Sequence, residues 1–169
     1  MKNNLLKFGF LASFIVLLLG STNLVAQEGK IVVGPGLAYG SEVENLGIKV
    51  DGYYTINEKF RAGLDLVYYL PDSQNGVDVN FFGFNINGHY IFYSEDKLMA
   101  YGLAGINILR SKVEAGGFSA TNSETGLNLG AGVEFAQDFG NIFGELKLAG
   151  LGGDADQLVI GGGVRFPIN

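Results

Sequence analysis

Two carboxylates set the first chemical question. Asp51 and Asp65 flank the short connection Asn57-Glu58-Lys59, and a tight turn there pairs 56 with 60 and so 51 with 65. Carboxylates placed that close repel unless one is protonated or a cation sits between them. Lys49, Lys147 or Arg61 can supply that cation. Paired carboxylates are also the equipment of acid–base and glycosidic chemistry, but that chemistry needs a cleft, and no cleft is implied here. His89 is the single histidine and there is no cysteine. One imidazole without thiols argues against a zinc site, and the lack of cysteine excludes thiol chemistry and a disulfide scaffold. Asp154-Ala155-Asp156 lies in a glycine-rich stretch, without the other ligands of a calcium loop. The glycine clusters precede no helical pattern, so they are not phosphate loops. The sequence therefore points to no catalytic residue, cofactor or metal.

The elements that carry these charges explain why. Six segments, 30–40, 46–56, 60–70, 124–135, 142–151 and 157–168, alternate with a period of two. One parity is apolar and uncharged, as in Leu46, Ile48, Val50, Tyr54 and Ile56. The other carries Lys49, Asp51, Arg61, Asp65, Glu134, Glu145, Lys147 and Arg165, interspersed with glycines. Such alternation predicts strands with one wholly apolar face. Two further strands are predicted over 77–92 and 98–110, making eight. In 98–110, Met99, Tyr101 and Leu103 set one apolar phase and Ile106 and Ile108 the other, which predicts a bulge at Gly105. Residues 111–123 are expected to form the longest loop, with Phe118 at an exposed tip.

The first residues read as an export signal. Lys2 and Lys7 flank a positive start, Phe8 to Leu19 is apolar apart from Ser13, and cleavage is expected at the Ala26-Gln27 step. The domain is then 27–169. Cleavage removes two lysines from 11 basic residues, leaving 9 against 17 acidic and a net charge of −8. That balance argues against a nucleic-acid partner.

The apolar face must point either into a core or out into lipid. A soluble lipocalin-like barrel that binds lipid would turn it inward. Three features favour outward. The charged parity holds Gly34, Gly36, Gly47, Gly63, Gly130, Gly132 and Gly163, which weaken a solvated strand face but make room inside a narrow barrel. Aromatic residues gather near the ends of the apolar face: Tyr54, Phe60, Tyr90, Phe92, Tyr101, Phe135 and Phe166 at one end, Tyr39, Tyr68 and Phe82 at the other. Such rings suit the two membrane interfaces. Eleven residues at ~3.3 Å each, tilted by ~40–45°, also span about 25 Å along the bilayer normal.

The stretches YGLAGINI (101–108), GLNLGAGVEF (126–135) and LVIGGGVRFPIN (158–169) resemble the small outer-membrane β-barrel proteins of Gram-negative bacteria, the group of OmpX and the OmpA transmembrane domain. The last stretch is similar to the C-terminal assembly signal of these barrels, with Gly163, Phe166 and Ile168 in alternation, although it ends on Asn169 and has Gly161 at the polar lead position. The resemblance implies an all-β, eight-stranded antiparallel up-and-down transmembrane barrel in the outer membrane. It implies outer-membrane lipid around the barrel and the barrel assembly machinery as a partner during biogenesis. A protein partner at the outer loops is left open. The expected function is structural or interactive, without enzymatic activity and with a side-chain-plugged lumen; a narrow porin-like channel is the alternative.

Overall fold

The computed structural model describes residues 29–74 and 77–168. The expected export signal lies outside the described residues. Among the described residues there are nine strands: β1 (Ile31–Gly40), β2 (Asn45–Thr55), β3 (Phe60–Tyr69), β4 (Asp72–Gln74), β5 (Val77–Glu95), β6 (Leu98–Ala115), β7 (Phe118–Gln137), β8 (Gly140–Leu151) and β9 (Gln157–Ile168). Eight of them form an antiparallel ring. Each pairs with its chain neighbour, β3 pairs with β5, and β9 pairs with β1, so the sheet closes on itself. The ninth, β4, is a short strand hydrogen-bonded to the start of β5. Closure gives every barrel strand a partner on both sides, which removes the edges an open sheet would expose. Residues 29 and 168 lie at one end of the barrel, the near end; the opposite end is the far end.

Local chemistry sets the register. Asn57 Oδ1 accepts from the amides of Lys59 and Phe60, both at 2.9 Å, and Ile56 N donates to Phe60 O at 2.9 Å. This side-chain turn locks β2 onto β3 with Thr55 opposite Arg61, and Asp51 therefore falls opposite Asp65.

The apolar parity faces outward. Leu37 is 59% exposed and Leu129 58%, and Ile48, Val50, Leu64, Ile86, Leu146 and Ile160 are exposed with them. The charged parity faces the barrel axis and is buried. An inward-facing apolar pocket of the lipocalin kind is thereby excluded.

Two expectations are corrected. Residues 111–123 are not a loop. β6 continues to Ala115, β7 begins at Phe118, and Gly116-Gly117 joins them with φ of 54° and 88°. Two consecutive positive φ values are what a two-residue hairpin turn of type I′ requires, and glycine supplies both at no steric cost. With β4 and the start of β5, this hairpin builds a four-stranded sheet that rises past the far end of the barrel. Nor does Gly105 host a bulge. β6 and β7 pair without interruption from Leu98 opposite Phe135 to Ala115 opposite Phe118. The irregularities lie elsewhere. Phe92 is the extra residue on β5, because Ile91 faces Tyr101 while Tyr93 faces Ala100. Ala149 and Gly150 together oppose Asn128, with Gly150 at φ 79°.

Candidate functional site: the barrel interior

Without a phase change on β6, Met99, Tyr101 and Leu103 all point inward. Tyr101 is 0% exposed. It therefore does not belong to the aromatic girdle in which its apolar neighbours placed it. The physical reason is space. Tyr101 pairs with Gly132, and a Cβ on Gly132 would lie 2.8 Å from Glu145 Cγ and closer still to the Tyr101 ring. The glycine is the socket for the ring. Gly63 does the same for Tyr53, whose Cδ1 would lie 2.6 Å from an added Cβ.

The other girdle residues do face outward. Tyr54, Phe60, Tyr90, Phe92 and Phe135 are exposed near the near end, with Phe166 partly so, and the Phe60 and Tyr90 rings meet tilted, with centroids 5.3 Å apart. Tyr93 and Phe139 join them, unforeseen because one follows the Phe92 bulge and the other sits in a turn. Tyr39 and Tyr68 are exposed toward the far end.

The interior is layered. Across the near end lie Ile91, Met99, Tyr101 and Leu103. Toward the far end lie Ala38, Val67, Tyr69, Leu109, Ala149 and Val159, with Val43, Phe81 and Ala155 packed over them from above. Between the two apolar layers lie eight buried charges, four acids and four bases: Asp51, Asp65, Glu134 and Glu145 with Lys49, Arg61, Lys147 and Arg165. Their sum is zero.

Arg165 is the hub, at 0% exposure. Its guanidinium holds Asp51 through Nε at 3.1 Å and Nη2 at 2.7 Å, donates to Glu145 at 2.8 Å and to the Tyr101 hydroxyl at 2.9 Å, and bonds Glu134. Its planar face lies 3.8 Å from the centre of the Phe143 ring. A rigid fork with five donors can hold three carboxylates at once, which a lysine cannot. Lys49 bonds Glu145 at 2.7 Å and lies 3.4 Å from Asp51. Arg61 bonds Glu134 and donates from Nε to His89 Nδ1 at 2.9 Å. His89 therefore accepts on Nδ1, and its ring stacks on Tyr101 at 4.3 Å.

Asp65 is held differently. Asn85 and Asn87 donate to it at 2.6 and 2.7 Å, and Lys147 approaches at 3.2 Å. Asn107 and Asn128 donate in turn to Asn85, at 2.8 and 2.9 Å, and form an amide ladder across β5, β6 and β7. The facing pair Asp51 and Asp65 thus turns to separate cations: Asp51 chiefly to Arg165, Asp65 to Lys147. Arg61 serves neither. Asn107 and Asn128 were missed in the sequence; their inward parity was the available signal.

The rest of the charge sits at the ends. Among the described residues the near end carries Lys30, Glu58, Lys59, Glu95, Asp96, Lys97 and Asp138, for a net −1. The far end carries Glu42 and Glu44 after β1, Asp72 and Asp78 on β4 and β5, Glu114 and Glu124 on the tall hairpin, and Asp154 and Asp156 before β9. Against these eight acids stand Arg110 and Lys112, leaving net −6. Asp154 and Asp156 are exposed, and among the described residues no cluster of three or more potential ligands could hold a metal ion.

A closed ring of eight antiparallel strands has counterparts among solved structures. The N-terminal β-barrel domain of Pseudomonas aeruginosa OprF superposes with a TM-score of 0.65 at 17% identity, over 83% of this chain and 98% of that one. Neisserial surface protein A matches with a TM-score of 0.60 at 18% identity, covering 81% and 94%. The attachment invasion locus protein Ail of Yersinia pestis matches at 0.58 and 21% identity, covering 83% and 100%. The chain has the fold of the small eight-stranded outer-membrane barrels. No family model matches the sequence, and no curated protein matches it either.

Proposed function

We propose that this chain spans an outer membrane as a sealed barrel and acts through structure or interaction at its far end, not by conducting solutes or by catalysis. The near end is periplasmic and the far end faces outside. The short connections 56–59, 96–97 and 138–139 lie at the near end, and the tall sheet stands at the far one, which is the usual asymmetry of these barrels. Export follows from the signal over 1–26, lipid surrounds the apolar belt, and the barrel assembly machinery inserts it.

The observation that carries this reading is the layered interior. Eight strands leave room only for side chains, and here those side chains are two apolar layers around an ionic one. A solute would have to part Arg165 from three carboxylates and then pass Val67, Leu109 and Val159. The same pairing argues against catalysis, since the carboxylates of Asp51 and Asp65 face cations and amides instead of a substrate cleft. A narrow channel is the alternative, and the interior glycines favour it only until Tyr53 and Tyr101 are seen to occupy their space.

One solved structure of Ail is a complex with the heparin analogue sucrose octasulfate. A polyanion of that kind does not suit this chain, because the far end is net −6 and repels it. Planar-bilayer recording tests the proposal: the purified barrel is expected to give no steady conductance above the bare bilayer. A large, persistent open level would refute the seal.

A further inference from the structure

The outward wall of the barrel is not evenly filled. Between Leu129 on β7 and the tilted ring pair of Phe60 and Tyr90 lies an aromatic-walled groove of about 430 Å³, floored by Gly88, Gly102 and Ala104. The register gives its course. On β6 the outward residues are Ala100, Gly102 and Ala104 in succession, and Ile106 closes the row. On the same rungs stand Tyr93, Tyr90 and Gly88 of β5, and Val133, Ala131 and Leu129 of β7. The groove therefore runs along β6 from the near-end girdle to the middle of the apolar belt. From Ala100 to Ala104 is four steps of ~3.3 Å, or about 13 Å. One leaflet of a bilayer is similar, at half of the ~30 Å hydrocarbon thickness. The floor is one to two strands wide, which is about 5–10 Å.

The chain itself makes no use of the space over this floor. Interior glycines such as Gly63 and Gly132 are sockets for rings, but Gly88 and Gly102 are not. A Cβ on Gly88 would lie 3.8 Å from Ala104 O, and one on Gly102 would lie 4.0 Å from Gly130 O, both ordinary contacts. Glycine weakens a strand and commonly marks close approach by another molecule. The near mouth of the groove, by contrast, is charged. Asp96-Lys97 joins β5 to β6, and Lys97 precedes outward Leu98, two residues before Ala100. Lys97, Asp96 and Glu95 are all exposed there.

We propose that this groove binds one zwitterionic phospholipid of the near leaflet. An acyl chain lies along Ala100, Gly102 and Ala104, the phosphate meets Lys97, and the headgroup's ammonium meets Asp96 and Glu95. The proposal rests on the barrel spanning a membrane, as given above. Shape and charge select this occupant. The groove opens onto hydrocarbon and its length matches one leaflet. A helix, ~10–12 Å across with its side chains, is too broad for the floor. A second barrel would set two far ends, each net −6, side by side. The mouth presents a cation and carboxylates together, which suits a headgroup carrying both signs over one that is purely anionic. Against a background of other lipid there is no hydrophobic gain, so close packing and headgroup pairing supply the preference.

Native mass spectrometry of the whole barrel in mild detergent tests this, with dipalmitoyl phosphatidylethanolamine as the titrant. One saturable lipid is expected, bound about tenfold more tightly than any later one. The double variant Gly88→Leu with Gly102→Leu fills the groove without a clash and should weaken that first lipid about tenfold. Gly144→Leu is the control. It adds a leucine to the outward face of β8, where a Cβ also meets open space, and should leave the first lipid unchanged. Lys97→Gln should weaken it, and dipalmitoyl phosphatidylglycerol should bind less tightly to the unaltered barrel. Folding of each variant is checked by its heat-modifiable migration on gels. Absence of a saturable first lipid overturns the proposal. So does phosphatidylglycerol binding as tightly as phosphatidylethanolamine, which depends on no variant folding. Full affinity in the filled variant, or equal weakening by Gly144→Leu, has the same force. Insertion of the barrel into a bilayer is read separately, by quenching of an outward tryptophan with brominated lipid, so failure of the site and failure of the spanning reading are distinguishable.

Discussion

Replacing Arg165 with alanine is expected to lower the unfolding free energy of the barrel by about 3–5 kcal/mol, the range for removing one partner from a buried ion pair. Asp51, Glu134 and Glu145 all bond this guanidinium. Without it they share Lys49 and Arg61, two cations for three carboxylates in an interior closed above and below by apolar layers. The alanine also exposes the Phe143 face on which the guanidinium lies. Arg165→Lys restores the charge without the fork and should recover only part of the loss. Glu134→Gln relieves one of the three acids. The double variant with Arg165→Ala should therefore cost less than the two single changes added together, the signature of groups in one network. Urea titration of the barrel in lipid vesicles reads these differences. A loss under about 1 kcal/mol for Arg165→Ala, typical of an exposed pair, would mean that the network is solvated.

The second large effect is on the outside. Leu129 sits midway along the apolar belt of β7, between outward Ser123 and Phe135, and is 58% exposed. In water an exposed leucine can become arginine at almost no cost. In a bilayer the same change places a charge near the midplane, at about 2–4 kcal/mol. Leu129→Arg is accordingly expected to destabilise the barrel by that amount, while Ser123→Arg, on the same face above the belt, should stay within about 0.5 kcal/mol. The same urea titration compares them. Equal, small effects at both positions would show that β7 meets water along its whole length.

How much of this was visible in the sequence depended on whether the two faces of a strand differed. β2 and β3 were legible because Lys49, Asp51, Arg61 and Asp65 alternate with Ile48, Val50, Leu64 and Leu66, and a period-two pattern then has only one phase. The Asn57 turn fixed their register. β6 was not legible in the same way. Met99, Tyr101 and Leu103 are apolar because they form the near-end layer of the interior, and Ile106 and Ile108 are apolar because they belong to the outer belt. Two apolar faces in succession look like a phase change, which is why a bulge at Gly105 and an outward Tyr101 were expected and neither is present. The stretch 111–123 failed for another reason. A sheet with both faces largely exposed carries little alternation, and its serines, threonines and glycines read as loop; the Gly116-Gly117 pair was its best signal. Within the interior, the inward parity of the charges could be read. Which cation meets which carboxylate could not, because partners such as Arg165 and Asp51 are 114 residues apart and meet only across the closed ring.

Lipid contact and a sealed interior both depend on which side of the sheet each parity faces, and the chain contains no tryptophan to obscure a probe. Two single-tryptophan variants on one strand, Ile106→Trp and Tyr101→Trp, should be refolded into bilayers containing brominated phospholipid. Strong quenching at 106 and little at 101 is the predicted result, since one ring would lie in hydrocarbon and the other beneath Arg165. Quenching at 101 with none at 106 would mean that β6 is turned the other way, and the sealed ionic interior would fall with it.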